Sequence, residues 1–249
     1  MCSSDLVDKA HEYIVSVFGE DWKEKYVVWD PAWGTGNLTR DYKFKELYVS
    51  TLNQSDIDTA NQMGYNPEAV KFQFDFLNDP DKKLPESLRK VIEEGREIIV
   101  FMNPPYGTAN DYRNVSSDTT KHKDGITNTN TLFYMKEDGF GESTRNLYSQ
   151  FIYKIYRYNK TNKNIKIAIF CPPNFISSTS FKNFRKKFFN EFSFEKGFLF
   201  QSSHFNDVAS TWGISFCLIN SKKNKNKFIF DIIDTNKNFE LEIKNKKEI

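Results

Sequence analysis

Short apolar runs alternating with amphipathic stretches constrain this chain more than any other feature. Tyr26 to Trp29, Glu46 to Ser50, Val70 to Phe76 and Glu97 to Met102 read as strands. Leu6 to Phe18 precedes them as a helix, and Ser55 to Met63 and Pro85 to Glu94 lie between them with helical spacing. Strands interleaved with helices specify an α/β fold, with a mostly parallel sheet covered on both faces. The second half resumes the order. Leu147, Phe151, Ile152 and Ile155 share a helical face, Ile165 to Cys171 is a strand, and Ser177 to Phe192 reads as one helix with Lys182, Arg185, Lys186 and Lys187 on its exposed side. Phe194 to Phe200, Trp212 to Ile219 and Phe228 to Ile233 then follow as successive strands, which implies an antiparallel edge.

The 249 residues suit one large domain, expected over 1–249, with a Gly, Asn, Thr and Asp rich polar loop insert at about 107–142. A separate target-recognition domain is not evident. Net charge is only +2, but it is unevenly spread. Residues 1–100 carry 12 Lys and Arg against 19 Asp and Glu, whereas residues 151–249 carry 18 against 8. A basic final third suits a polyanionic partner, and a solvated lysine-rich surface accounts for it equally well. No apolar run reaches 18 residues and Met1 to Asp5 begins no signal peptide, so a cytoplasmic protein is expected. Cys2, Cys171 and Cys217 are too scattered for a zinc site or a disulfide framework.

Chemistry concentrates at the strand ends. After the first strand the chain reads Asp30-Pro31-Ala32-Trp33-Gly34-Thr35-Gly36-Asn37. Two glycines at alternate positions let backbone approach a ligand, but neither a third glycine nor a lysine follows, which excludes a good nicotinamide fingerprint and a Walker loop. Asp30 would meet a cation better than a phosphate. Asp75 and Phe76 are expected to close the third strand, where they either face the same crevice or start the next helix. The fourth strand runs into Asn103-Pro104-Pro105-Tyr106. Two prolines stiffen this turn and leave carbonyl acceptors without neighbouring donors, while asparagine adds an amide oxygen and tyrosine an aromatic face. Such a hook suits a planar group with an exocyclic amine. A rigid loop capping a strand is the plainer reading of the same four residues.

Order and spacing together carry a resemblance. D-P-A-W-G-T-G-N at 30–37, D-F at 75–76 and N-P-P-Y at 103–106 resemble the first, third and fourth motifs of S-adenosylmethionine-dependent amino-methyltransferases. The nearest likeness is to N6-adenine DNA methyltransferases whose cofactor motif precedes the catalytic one. It extends through N-L-Y-S-Q-F-I at 146–152, C-P-P-N-F at 171–175, F-K-N-F-R at 181–185 and F-N-D-V-A-S-T-W-G-I-S-F at 205–216. The resemblance implies a Rossmann-like class I methyltransferase fold, S-adenosylmethionine as cofactor and no metal.

On single residues it implies that Asp30, Pro31, Ala32, Gly34 and Gly36 surround the methionine portion of the cofactor, with Asp30 near its ammonium. Asp75 would take the cofactor's adenine amine, and Phe76 would lie by that ring. Asn103 and the Pro104 carbonyl would accept from the target amine, Tyr106 would stack on the target base, and Phe205 would close its other face. The second motif departs from the family: Thr51 stands where an acid usually holds the ribose hydroxyls, so weaker cofactor affinity is expected. The implied partner is duplex DNA with a flipped adenine, read with a recognition subunit or a further domain. RNA adenine methylation, protein glutamine methylation and a non-catalytic subunit of a modification complex remain as alternatives.

Overall fold

A computed structural model of the chain describes residues 3–107, 128–201, 213–221, 227–235 and 241–249. The central element is β4 (Ile98–Met102), whose five residues are all buried. Along it Ile98, Val100 and Met102 enter one core while Ile99 and Phe101 enter the other, because successive side chains of a strand point to opposite faces. An uninterrupted apolar run is therefore what a strand covered on both sides requires.

Four more strands run parallel with it: β1 (Val27–Asp30), β2 (Leu47–Thr51), β3 (Val70–Gln73) and β5 (Ile165–Cys171). β6 (Ser193–Gln201), β7 (Gly213–Asn220), β8 (Ile229–Thr235) and β9 (Leu241–Glu248) complete a sheet of order β3-β2-β1-β4-β5-β7-β6-β8-β9. β7 inserts antiparallel between β5 and β6, and β9 pairs antiparallel with β8 at the edge. The chain winds outward from β1 through β3 and returns to lay β4 beside β1. That reversal makes a topological switch point, and in open α/β sheets the crevice beyond the strand carboxyl ends at such a point is where ligands bind.

Helices cover both faces. On one, α1 (Ser3–Phe18) contributes Leu6, Ala10 and Ile14, the one-turn α2 (Trp22–Lys25) adds Trp22, and α3 (Gln54–Gln62) adds Ala60. On the other lie α4 (Glu86–Glu93), α5 (Asn130–Glu137) and α6 (Leu147–Thr161). In α6 Phe151, Ile155 and Tyr158 recur at helical spacing and are buried, so packing of this stripe holds the helix to the sheet.

Several boundaries differ from the sequence expectation. Strand β3 ends at Gln73, so Asp75 and Phe76 follow it in a turn and do not close it. The segment expected as one helix over 177–192 divides into α7 (Asn174–Ser177), a 3-10 turn at Thr179–Phe181 and α8 (Lys182–Phe188). Ser178 is extended there, and Arg185 Nη1 donates to the Ser178 carbonyl at 2.7 Å and the Phe175 carbonyl at 3.3 Å. Serine and threonine favour such breaks because their hydroxyls compete with helical hydrogen bonds. The polar insert holds α5 within its described part, and α6 extends beyond Ile155 to Thr161. Strand β9, unanticipated, is a mostly exposed edge with Lys244, Lys246 and Lys247, a composition that discourages further pairing.

Candidate functional site

The exits of β1, β2 and β3, together with Pro105 and the start of α6, enclose a cleft of about 580 Å³. Its walls bring together Pro31, Ala32, Gly34, Thr51, Asp75 and Phe76 from residues singled out in the sequence. Leu52, Asp56, Asn78, Thr129, Leu147 and Phe151 join them without any earlier sign of a role in it. Asp30, Gly36, Asn103 and Tyr106 do not form its wall. Phe205 lies outside the described residues.

Asp30 ends β1 beneath this wall and is 1% exposed. Its carboxylate accepts from the Ala32 N–H at 3.0 Å, and no described lysine or arginine forms an ion pair with it. Burial pushes its pKa up to about 8, only partly offset by that hydrogen bond. A buried carboxyl with one donor is costly to ionise until a cation approaches.

The following turn is anchored on its far side. Trp33 is buried, its N–H donates to the Ser50 carbonyl at 3.0 Å, and its indole donates to Thr39 Oγ1 at 2.9 Å. The two glycines serve different ends. Gly34 has φ +50° and open space where a Cβ would stand, so it bends the chain and leaves the cleft unobstructed. Gly36, at φ +77°, would bring a Cβ to 3.0 Å from the Trp33 indole, so its small size lets the turn close over that ring.

At the next exits the polar groups are engaged. Thr51 is buried, and its hydroxyl donates to Asp56 Oδ2 at 2.6 Å. Asp75 Oδ1 accepts from the N–H groups of Leu77 and Asn78, each at 3.1 Å, and Oδ2 accepts from the Asn78 amide at 2.8 Å. Asp75 thus holds its own turn in an Asx arrangement. Phe76 is stacked on Phe151 with centroids 4.8 Å apart, so that face of its ring is occupied from within the protein. Lys154, buried on α6, sits 4.9 Å from the Phe74 ring and 5.1 Å from the Phe76 ring and donates to the Asp79 carbonyl at 3.2 Å, tying the same turn to the helix.

Beyond β4, Asn103 and Pro105 are exposed and Pro104 is buried. The Tyr106 hydroxyl donates to Asn103 Oδ1 at 2.6 Å, and its half-buried ring packs against both halves of the core. Burial raises the pKa of that hydroxyl, which keeps it a donor across the working pH range. An amide oxygen carries two lone pairs, so Tyr106 orients Asn103 and leaves one for a ligand. The hook is fastened to α6 through Leu147 N–H and the Gly107 carbonyl at 2.9 Å.

No protein-family model matches the chain, and no curated protein matches its sequence. Solved structures share its fold. A modification subunit assigned to a type I restriction enzyme from Vibrio vulnificus YJ016 superposes with a TM-score of 0.59 at 14% identity, over 95% of this chain and 47% of that one. The methyltransferase subunit of a type I restriction-modification system from Streptococcus thermophilus gives 0.55 at 16% identity, over 95% and 48%. DrdV, solved in a DNA complex, gives 0.58 at 15% identity, over 93% and 26%. The chain spans less than half the length of each of these three proteins. Its architecture is the α/β Rossmann-like methyltransferase fold.

Proposed function

On this methyltransferase fold, we propose that the chain transfers a methyl group from S-adenosylmethionine to the exocyclic N6 amine of adenine in DNA. The observation that carries the reading is the pairing of two unsaturated acceptors across the switch point: Asp30 at the end of β1 and Asn103 just after the adjacent β4. Among the described residues each accepts from a single donor.

The site residues fit the cofactor. Asp30 offers a buried carboxyl to an ammonium, Gly34 leaves the cleft wall open where a side chain would stand, and a cleft of about 580 Å³ lies in the range of small-molecule sites. When bound, the cofactor supplies an electrophilic methyl group on a sulfonium. The protein's task is to prepare the acceptor. An adenine amine is a poor nucleophile because its lone pair is delocalised into the ring. Asn103 Oδ1 and the Pro104 carbonyl accept its two hydrogens, which favours a pyramidal nitrogen and stabilises the positive charge that develops there. Tyr106 holds the Asn103 amide in the accepting orientation, and its ring lies against the incoming base. Because this amine is paired inside a duplex, the base must leave the stack, at a cost of a few kcal/mol.

DNA as partner is supported by the DrdV complex and by the modification subunits that share the fold. With this chain spanning less than half of those proteins, target recognition is assigned to a partner subunit or to segments beyond the catalytic fold. Labelled-methyl transfer to unmethylated DNA, RNA and protein pools tests the reading. Label in DNA adenine supports it, and label confined to protein or to RNA replaces it.

A further inference from the structure

The meeting point of α5, α6 and the 3-10 turn at Gly141–Arg145 is built from polar side chains, although it lies inside the protein. Thr129, Thr131, Ser143, Thr144, Ser149 and Gln150 are all buried there. Apolar packing does not account for them, since the stripe of Phe151, Ile155 and Tyr158 already holds α6 to the sheet. We propose that Gln150 is a positioning residue for methyl transfer, acting through Thr129 and Thr144 to hold the cofactor cleft and the Asn103 hook at a fixed separation. The assignment rests on the reading of those two places given above.

Both ends of the Gln150 amide are used. Nε2 donates to the Thr144 carbonyl at 2.8 Å, and Oε1 accepts from the Thr129 hydroxyl at 2.6 Å. A carbonyl can only accept, which fixes which way round the amide lies. The Thr129 oxygen in turn caps α5, accepting from the Leu132 N–H at 3.0 Å. One directed chain of hydrogen bonds thus runs from Leu132 through Thr129 and Gln150 to Thr144. A buried polar chain is costly when broken and, when complete, favours a single arrangement of the elements it joins.

Each end of the chain leads to one half of the site. At the cleft end, Thr129 is part of the wall, and the two residues after it are tied to the turn that carries Asp75 and Phe76. Asn130 donates its N–H to Asn78 Oδ1 at 3.0 Å and its amide to the Asn78 carbonyl at 2.9 Å, while the Thr131 hydroxyl donates to the Leu77 carbonyl at 2.7 Å. At the hook end, Thr144 is followed by Leu147, whose N–H holds the Gly107 carbonyl next to Tyr106. Gln150 bridges the two. A misplacement of about 1 Å between reacting groups can cost 10²-fold in rate, so a strut in this place acts on transfer more than on binding.

Methionine matches glutamine in length and makes neither bond, so Gln150→Met breaks the chain. It is expected to lower kcat at least tenfold and to leave S-adenosylhomocysteine affinity within about threefold. Thr129→Val cuts the same chain at its other bond and stands in should Gln150→Met fail to fold. Its loss should be similar and largely restored in Thr129→Ser, and the double variant should be no slower than the worse single one, because both break one unit. Hydrogen exchange gives a readout that needs no methyl acceptor. Asn146 donates its N–H to the Ser143 carbonyl at 3.1 Å in the turn and does not form the cleft wall. Saturating S-adenosylhomocysteine should slow exchange of this amide about fivefold or more in the wild-type protein and less than twofold in Gln150→Met. Equal slowing in both proteins, or none in the wild type, overturns the assignment, as does a rate loss no larger than the loss of folded protein. Methyl transfer to an acceptor other than DNA adenine, with the exchange difference intact, replaces the proposed substrate and leaves the role of Gln150 standing. A wild-type protein that does not bind S-adenosylhomocysteine removes both.

Discussion

The exits of the two central strands and the exits of the two flanking strands have similar polar residues in opposite states. At the centre, Asp30 and Asn103 each accept from one donor among the described residues, and burial lifts the pKa of the Asp30 carboxyl to about 8. At the flank, Thr51 is committed to Asp56, and Asp75 takes three donors from its own turn. The flank is a wall already built; the centre keeps capacity in reserve. At Asp30 that reserve is expensive, because a buried acceptor short of partners forgoes solvation, and it marks where a ligand is to supply what is missing; the exposed Asn103 keeps its open lone pair toward solvent at no such cost.

The largest effect expected from breaking this contrast lies at the hook. Asn103→Ala should lower kcat by 10²-fold or more while leaving cofactor affinity within about twofold, because the lost acceptor acts on charge that develops only during transfer. Single-turnover kinetics beside binding measurements would check it; an equal loss in both would make Asn103 a structural residue. Asp30→Asn comes next, with a fall in cofactor affinity of about 30-fold or more, the usual cost of removing one partner of a buried charge pair.

The same substitution should make the unliganded protein more stable at pH 7, by roughly 2–4 kcal/mol in denaturant titration. The sign follows from the raised folded value. An acid whose folded pKa stands near 8 contributes fully below its ordinary value of 3.8 and loses that contribution as pH climbs through 8, a penalty that asparagine escapes. Asp75→Ala should do the reverse, costing about 1–2 kcal/mol of stability through its lost turn bonds, with the smaller share of its effect on binding. An affinity loss equal to that of Asp30→Asn with unchanged stability would erase the distinction between centre and flank. Smallest of the set, Tyr106→Phe should reduce kcat by about fivefold by freeing the Asn103 amide to rotate, and an unchanged rate would show the 2.6 Å contact to be idle.

Much of the central sheet was legible because a strand buried on both faces must be an apolar run, as Ile98 to Met102 is. Its exits were legible because glycine and proline are the strongest turn formers, and Gly34, Gly36, Pro104 and Pro105 announce them. The opposite wall was not. Thr129, Leu147 and Phe151 reach the cleft through packing across the sheet, and nothing local distinguishes them from ordinary core or cap residues. Asp56 was hidden for another reason: an acid in the first turn of a helix is common, and nothing local marks one that also lines a cleft. The break at Ser178 escaped notice because the apolar spacing of Phe181, Phe184 and Phe188 continues across the end of the 3-10 turn.

Recognition of the proposed cofactor turns on Asp30 being held neutral until a cation ionises it. Calorimetric titration of S-adenosylhomocysteine between pH 6 and 9 measures this without any need for a nucleic-acid substrate or a partner subunit. Affinity should rise close to tenfold per pH unit below the Asp30 pKa of about 8 and level off above it, with Asp30→Asn weak and flat throughout. A wild-type affinity independent of pH, or an Asp30→Asn protein that binds as tightly as wild type, would contradict it.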